Sequence, residues 1–156
     1  MYILFTKYGN IGIEATTNGI SKLILNAKSS RGQVNKTLDK NIQKLANQLK
    51  DYFQGKKVNF DVKLDLDRFP DFSQKVWKQA RKILFGKTST YGEIAKKIGR
   101  PNASRAVGQA LGANPIAIVI PCHRVIRKDK SLAGFAYGLK WKKTLLELEN
   151  KTTGAH

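Results

Sequence analysis

Cys122 and His123 stand side by side; they are the only cysteine and the only histidine away from the chain end, the other histidine being His156. A free thiol, with a pKa of about 8.5, is a weak nucleophile at neutral pH, and a base that takes its proton makes it reactive. His123 is such a base if its ring reaches the sulfur. Adjacent side chains often point apart, so a bridging water is a natural relay. An imidazolium formed in this way needs a carboxylate to orient and stabilise it. Carboxylates are scarce downstream: Asp129, Glu147 and Glu149. Asp129 lies in a basic loop, so Glu149, on the last helix, is the favoured partner. The competing reading of Cys122 is a buried, inert thiol, the commoner fate of a free cysteine.

The rest of the composition limits the possible classes. The 156-residue chain has 29 Lys plus Arg and 11 Asp plus Glu, for a formal net charge of +18. One cysteine cannot form an internal disulfide, and one cysteine with two histidines falls short of the roughly four N/S ligands of a structural zinc site. No metal and no cofactor is expected. An apolar content of 41% with seven Phe, five Tyr and two Trp is too rich for an unfolded basic tail. No apolar run is longer than that of Ile116 to Ile120, which is far short of the ~18 residues that suggest a membrane span. Met1 to Phe5 lacks the basic and apolar regions of a secretory signal. The expectation is an intracellular protein, cytoplasmic or nucleoid-associated, monomeric and without a membrane partner.

The charge is uneven. Residues 1–71 hold 12 basic and 7 acidic side chains, net +5, whereas residues 72–146 hold 16 and 2, net +14. A basic second half points to a polyanion-binding face there. Lysine-rich surfaces also occur in heat-adapted proteins, and 22 of the 29 basic residues are Lys.

Periodicity then places the elements. Residues 2–8 and 20–26 read as strands, with a turn at Gly9-Asn10 and a hairpin signal at Asn18-Gly19. Leu38, Ile42, Leu45, Ala46, Leu49 and Phe53 recur at helical steps, predicting a helix over 38–53 capped by Thr37 and ended by Gly55. Val58, Phe60, Val62, Leu64 and Leu66 alternate as in a half-buried strand. Residues 1–68 therefore read as an α/β N-terminal domain, a small antiparallel sheet with a helix. Residues 69–156 read as a mainly α-helical C-terminal domain. A helix over 72–85 is predicted with Asp71 as cap, its inward face including Trp77, Ile83 and Leu84. Thr90 and Glu93 form a capping box for a short helix, 91–98, and Asn102 caps another, 103–111. Two short helices joined by a Gly-containing turn form a helix-turn-helix. The second is built from small residues and one arginine: Ala103, Ser104, Arg105, Ala106, Val107, Gly108. Such a surface suits close approach to DNA with Arg105 inserted, and equally suits tight packing on a neighbouring helix. A final helix is predicted over 140–149, and a frayed tail over 151–156. Trp77 and Trp141 read as packing residues.

Pro121-Cys122-His123-Arg124-Val125, preceded by Ile118-Val119-Ile120, resembles the signature of the O6-alkylguanine-DNA alkyltransferases. Thr90-Tyr91-Gly92, Ser104 to Gly108, Asn114-Pro115, Gly134-Phe135, Gly138-Leu139 and Lys142 to Glu149 resemble the rest of that family's C-terminal domain in order and spacing. The resemblance covers about residues 72–150. The N-terminal half shares only its α/β make-up and Asp51-Tyr52-Phe53-Gln54-Gly55.

The resemblance implies a DNA repair protein that binds duplex DNA carrying O6-alkylguanine and flips the base out. It then transfers the alkyl group irreversibly to Cys122, with O4-alkylthymine a poorer substrate. His123, Glu149 and Tyr91 are implied in the chemistry. Ala103, Ser104, Arg105, Ala106, Gly108 and Tyr91 are implied in DNA contact, with Arg105 filling the place of the extruded nucleotide and Tyr91 pressing on the 3′ phosphate. Asn114 (a hinge), Pro121, Val125, Phe135, Ala136, Tyr137 and Lys142 are implied around the pocket. Carbonyls of Cys122 and Val125 would read the guanine 2-amino group, and the Ala136 N–H would bond O6. Lys142 supports the pocket or is an exposed helix lysine, and Arg124 braces the motif through ion pairs. Phe135 and Ala136 stand where many relatives carry Tyr and Ser, so weaker substrate recognition is expected. The zinc that some relatives bind in the N-terminal domain has no ligands here. The alternative function is a noncatalytic module that recognises alkylated bases; relatives of that kind replace the cysteine.

Overall fold

The computed structural model describes residues 1–29, 36–132 and 134–153, with the side chains of 152 and 153 left aside. The chain forms two compact units, Met1–Leu66 with Pro115–Ala117, and Asp67–Asn114 with the residues from Ile118 onward.

The first unit is an antiparallel sheet, β1 (Tyr2–Thr6), β2 (Gly9–Thr16) and β3 (Gly19–Leu25), in the order β1-β2-β3. β2 is an addition to the two strands expected from periodicity, and its apolar residues Ile11 and Ile13 are fully buried. The turns also fall earlier than the Gly and Asn signals, the first by two residues and the second by one: Thr6 pairs with Gly9, and Thr16 with Gly19. The two loop residues are thus Lys7-Tyr8 and Thr17-Asn18, with glycine entering the next strand. Gly19 has φ +135, and a Cβ there would lie 2.6 Å from the Lys63 carbonyl oxygen. That close approach lets Ile20 N–H donate to Lys63 O at 2.8 Å and Ile20 O accept from Asp65 N–H at 2.7 Å.

The helix α1 (Lys40–Phe53) turns Ile42, Leu45, Ala46, Leu49, Tyr52 and Phe53 inward. Its cap is Asp39, which accepts from Ile42 N–H at 3.0 Å. Thr37 instead accepts from Asp39 N–H, and Leu38 is 96% exposed rather than part of the apolar face. Residues 58–63 keep the alternating burial, with Phe60 and Val62 buried, and residues 64–66 are all half-buried. They form no strand, because pairing with β3 occurs only as a parallel bridge between Ile20 and Leu64. Further along β3, Leu23 N–H donates to Pro115 O at 2.9 Å. Both contacts cover a strand edge that would otherwise offer free backbone groups.

The second unit is helical: α2 (Asp71–Ala80), α3 (Tyr91–Lys97), α4 (Ser104–Gly112) and α5 (Leu139–Thr153), with a two-residue parallel pair of β4 (Ser89–Thr90) and β5 (Val125–Ile126). Pro70 holds the cap position of α2, so Asp71 lies inside the first turn, where its charge complements the helix dipole. The helix stops five residues short of 85; Phe85 is buried while Leu84 is 66% exposed. Trp77 is buried, and its indole N–H donates to Ala110 O at 2.8 Å, tying α2 to α4. The Thr90–Glu93 capping box opens α3. Asn102 does not cap α4; Ala103 takes that position without a side-chain bond. With α3 and α4 in contact and a short turn between them, the helix-turn-helix is present. α5 is longer than the periodicity implies and continues through residues 151–153, where fraying is expected; residues 154–156, with His156, lie outside those described.

Candidate active site

The apolar run Ile116 to Ile120 is wholly buried. Within it Ile118 has φ +72, a left-handed conformation unusual for a β-branched residue. Such a residue costs about 1–3 kcal/mol and persists where packing holds it. It sits in the bend that returns the chain to a 3-10 turn, Cys122–Arg124. Asn114 closes this bend from inside. Its Nδ2 donates to Ile120 O at 2.8 Å and to Cys122 Sγ at 3.1 Å. The contact to sulfur goes beyond the hinge role that the family resemblance implies for Asn114. A side-chain amide eight residues upstream leaves no periodic signal.

His123 and Glu149 are both buried, with Nε2 and Oε2 2.5 Å apart. The other oxygen of Glu149 accepts from Arg124 Nε at 2.7 Å and from Gly86 N–H at 3.1 Å. Arg124 also donates from Nη1 to Ile83 O at 2.8 Å. Burial pushes Glu149 up, but the hydrogen bond from His123 and the neighbouring positive charge outweigh it and hold its pKa at about 2. Burial pushes His123 down, against the pull of Glu149. The resting state this describes is a neutral imidazole that donates Nε2–H to an ionised Glu149. Nδ1 is then the basic nitrogen, and it has no hydrogen-bond partner among the described residues. Burial raises the Cys122 thiol, while the Asn114 hydrogen bond and the Lys142 charge favour the thiolate. The site thus rests as neutral thiol and neutral base, with donors already aimed at the sulfur.

Lys142 is not an exposed helix lysine: it is fully buried, and Nζ donates to Val125 O at 2.8 Å. One lone pair of that carbonyl is therefore already engaged. Pro121 and Val125 are buried beside the 3-10 turn.

A small cavity of about 40 Å³ opens at the Cys122 sulfur, lined by Tyr91, Asn114, Phe135, Ala136 and Tyr137 and by Gly108, Leu111 and Gly112 of α4. Leu111 and Gly112 join the expected lining residues, and their spacing from Gly108 puts all three on one helix face. Pro121, Val125 and Lys142 do not line it. The rings of Phe135 and Tyr137 meet edge to face at 5.9 Å. Tyr91 lies against Gly108, where an added Cβ would touch its ring at 3.7 Å. Burial, then the nearby Cys122, raise the Tyr91 phenol, which keeps it a proton donor at neutral pH. On α4, Val107, Ala110 and Leu111 face inward. Arg105 is exposed, with Ala103, Ser104, Ala106 and Gly108 half-buried around it. Among the described residues no cluster of His, Cys, Asp and Glu is arranged to hold a metal, and no helix is long and apolar enough to cross a membrane.

Fold and site together define a class: a small α/β unit and a helix-turn-helix unit that carries a buried cysteine, histidine and glutamate in series. Comparison with known proteins makes this specific. The family profile described as "6-O-methylguanine DNA methyltransferase, DNA binding domain" matches residues 71–151, and its companion "ribonuclease-like domain" matches residues 3–66. A Mycobacterium bovis methylated-DNA--protein-cysteine methyltransferase is 53% identical over 108 residues, covering 69% of this chain and 65% of the relative. A Methanosarcina acetivorans protein of the same name is 53% identical over 102 residues, or 65% of each chain. These curated relatives are thus matched over slightly less than two thirds of their length. Among solved structures, Mycobacterium tuberculosis OGT in complex with DNA superposes with a TM-score of 0.85 at 40% identity, covering 97% of this chain and 92% of that one. An O6-methylguanine DNA methyltransferase from Methanococcus jannaschii gives 0.70 at 34% identity, covering 94% and 92%. The chain belongs to the 6-O-methylguanine DNA methyltransferase family.

Proposed function

We propose that the protein repairs duplex DNA by moving an alkyl group from guanine O6, and less efficiently from thymine O4, onto Cys122, once per molecule. The observation that carries this reading is the series at the cavity floor: a sulfur held by Asn114, a basic His123 Nδ1, and Glu149 behind the ring. The chain is expected to act inside the cell as a monomer, without metal or cofactor.

The O6 alkyl group projects into the major groove, out of reach of a protein docked through the minor groove, so the base must be extruded first. The exposed Arg105 on the small-residue face of α4 would occupy the gap, while Tyr91 presses the backbone. A volume of about 40 Å³ is a few times the ~10–15 Å³ that one water needs and too little for a purine, so the cavity walls must open to admit the base.

The proton of Cys122 then passes through a water to His123 Nδ1, and Glu149 stabilises the imidazolium. The thiolate attacks the alkyl carbon in line. The S–C bond forms as the C–O6 bond breaks, and its electron pair leaves with guanine. Tyr91 gives a proton to the departing base and recovers one from His123, so the cysteine proton ends on guanine. The product is a thioether with no ready leaving group. A second thiol to exchange with is absent from the sequence.

Arg105→Ala tests the extrusion role. Repair of O6-methylguanine in a duplex should fall by about 10–100-fold, the scale of the few kcal/mol of unstacking energy. Reaction with the free base O6-benzylguanine, which needs no flipping, should stay within about twofold. Equal loss on both substrates in single-turnover assays overturns this role for Arg105.

A further inference from the structure

Past the end of α2 the chain makes a tight loop that turns one leucine outward. Ile83 N–H donates to Ala80 O, and Lys87 N–H to Leu84 O at 2.9 Å. Arg124 Nη1 holds the Ile83 carbonyl and Glu149 Oε1 holds the Gly86 N–H. Phe85 points inward and is 5% exposed. With its neighbours bonded on both sides, Leu84 faces solvent in a fixed loop. It lines a groove of about 190 Å³ together with Lys82, Lys87 and Lys97.

None of these three lysines makes an ion pair among the described residues. The one acid at the rim, Glu93, is engaged with Ser89 Oγ at 2.8 Å and with Thr90 N–H. An exposed leucine alone is ordinary. A leucine on a rigid loop, inside a concave site edged by three uncompensated cations and one acid, is complementary to a definite ligand.

We propose that this groove docks an acidic segment of another protein that carries one large apolar anchor. The anchor would cover Leu84 and Ile83 while its flanking carboxylates meet Lys82, Lys87 and Lys97. A duplex backbone fits less well, because phosphates gain from the lysines but nothing from an exposed leucine beside them. The groove is formed by Gln79 of α2, by the segment 82–89 that follows that helix, and by Glu93, Ile94 and Lys97 of α3, whereas the proposed DNA contacts lie on Arg105 and Tyr91. The inference does not depend on the repair reaction.

The test uses the full chain and two fluorescent peptides, one Asp/Glu-rich with a single Phe and the other with Ala in its place. Anisotropy should show at least about tenfold tighter binding of the Phe peptide, as burial of one large apolar side chain allows. Leu84→Ser should erase that difference without altering net charge, and Lys87→Glu should weaken both peptides. Affinity of Leu84→Ser for undamaged duplex DNA should stay within about twofold of wild type. Equal binding of the two peptides, or an unchanged preference in Leu84→Ser, would reduce the effect to attraction by the overall +18 charge and overturn the proposal. A loss of duplex affinity in Leu84→Ser matching its loss of peptide affinity would overturn it in favour of a DNA contact.

Discussion

Cys122→Ala should transfer no alkyl group and still bind duplex DNA with wild-type affinity, within about twofold. The chemistry half of this result follows from composition: a single thiol exists in the chain, so no other thiol can accept the group. The binding half follows from geometry. Cys122 is 8% exposed at the floor of the cavity, and the exposed Arg105 lies elsewhere on the unit. Losing the sulfur removes one hydrogen bond from Asn114 and leaves a small void. Both are modest losses, together about 1–2 kcal/mol of stability. Single-turnover transfer, a DNA titration and a thermal melt on the same preparation check all three. Residual transfer would mean another acceptor, and a large loss of DNA affinity would make the thiol a structural residue.

Glu149→Gln should lower the transfer rate on the order of 10³-fold and destabilise the fold by about 3 kcal/mol. The rate effect comes from two changes at His123. A neutral amide does not stabilise the imidazolium, and its NH₂ can face Nε2 and favour the wrong tautomer. The stability effect comes mainly from Arg124, which is buried and would lose its counter-charge. The pH dependence has a definite sign. Glu149 titrates near 2 in the folded protein, below the ordinary 4.5. Its contribution is therefore fully present above about 4.5 and is lost as pH falls from there towards 2. The stability gap between wild type and Glu149→Gln should be widest at neutral pH and shrink through that acid window. Chemical unfolding at several pH values reads the gap directly. A gap that is flat from pH 7 to 3 would mean the carboxylate is not held ionised by its partners.

Much of the site is legible in the sequence because its chemistry is rare in the chain. One cysteine and one non-terminal histidine leave little choice, and three downstream carboxylates narrow the third member to Glu149, which lies against the imidazole in the fold. The α3 capping box is legible for a different reason: its signal is local, with both partners within four residues. Contacts between distant segments carry no such mark. Asn114 on the sulfur, Gly86 on Glu149 and Lys142 on the Val125 carbonyl join positions from 8 to 63 residues apart. Lys142 looks like any helix lysine, and only the packing around α5 shows its ammonium turned inward. The strand expected over 58–66 is absent for a related reason. Alternation there reports which side chains are buried, but a strand also needs a partner edge. Here β3 offers one only near Leu64. The helix expected over 72–85 overruns α2 because Ile83 and Leu84 continue its apolar period, although the backbone turns at Ala80 and sends Leu84 outward.

The most direct measurement is the intact mass of the protein after incubation with excess duplex DNA carrying one O6-methylguanine. One added methyl group per protein, placed on Cys122 by fragmentation, with one lesion repaired per molecule and no further turnover, is the expected result. Repeated turnover, or an unchanged mass in protein that still binds the duplex, would contradict irreversible transfer to the single cysteine.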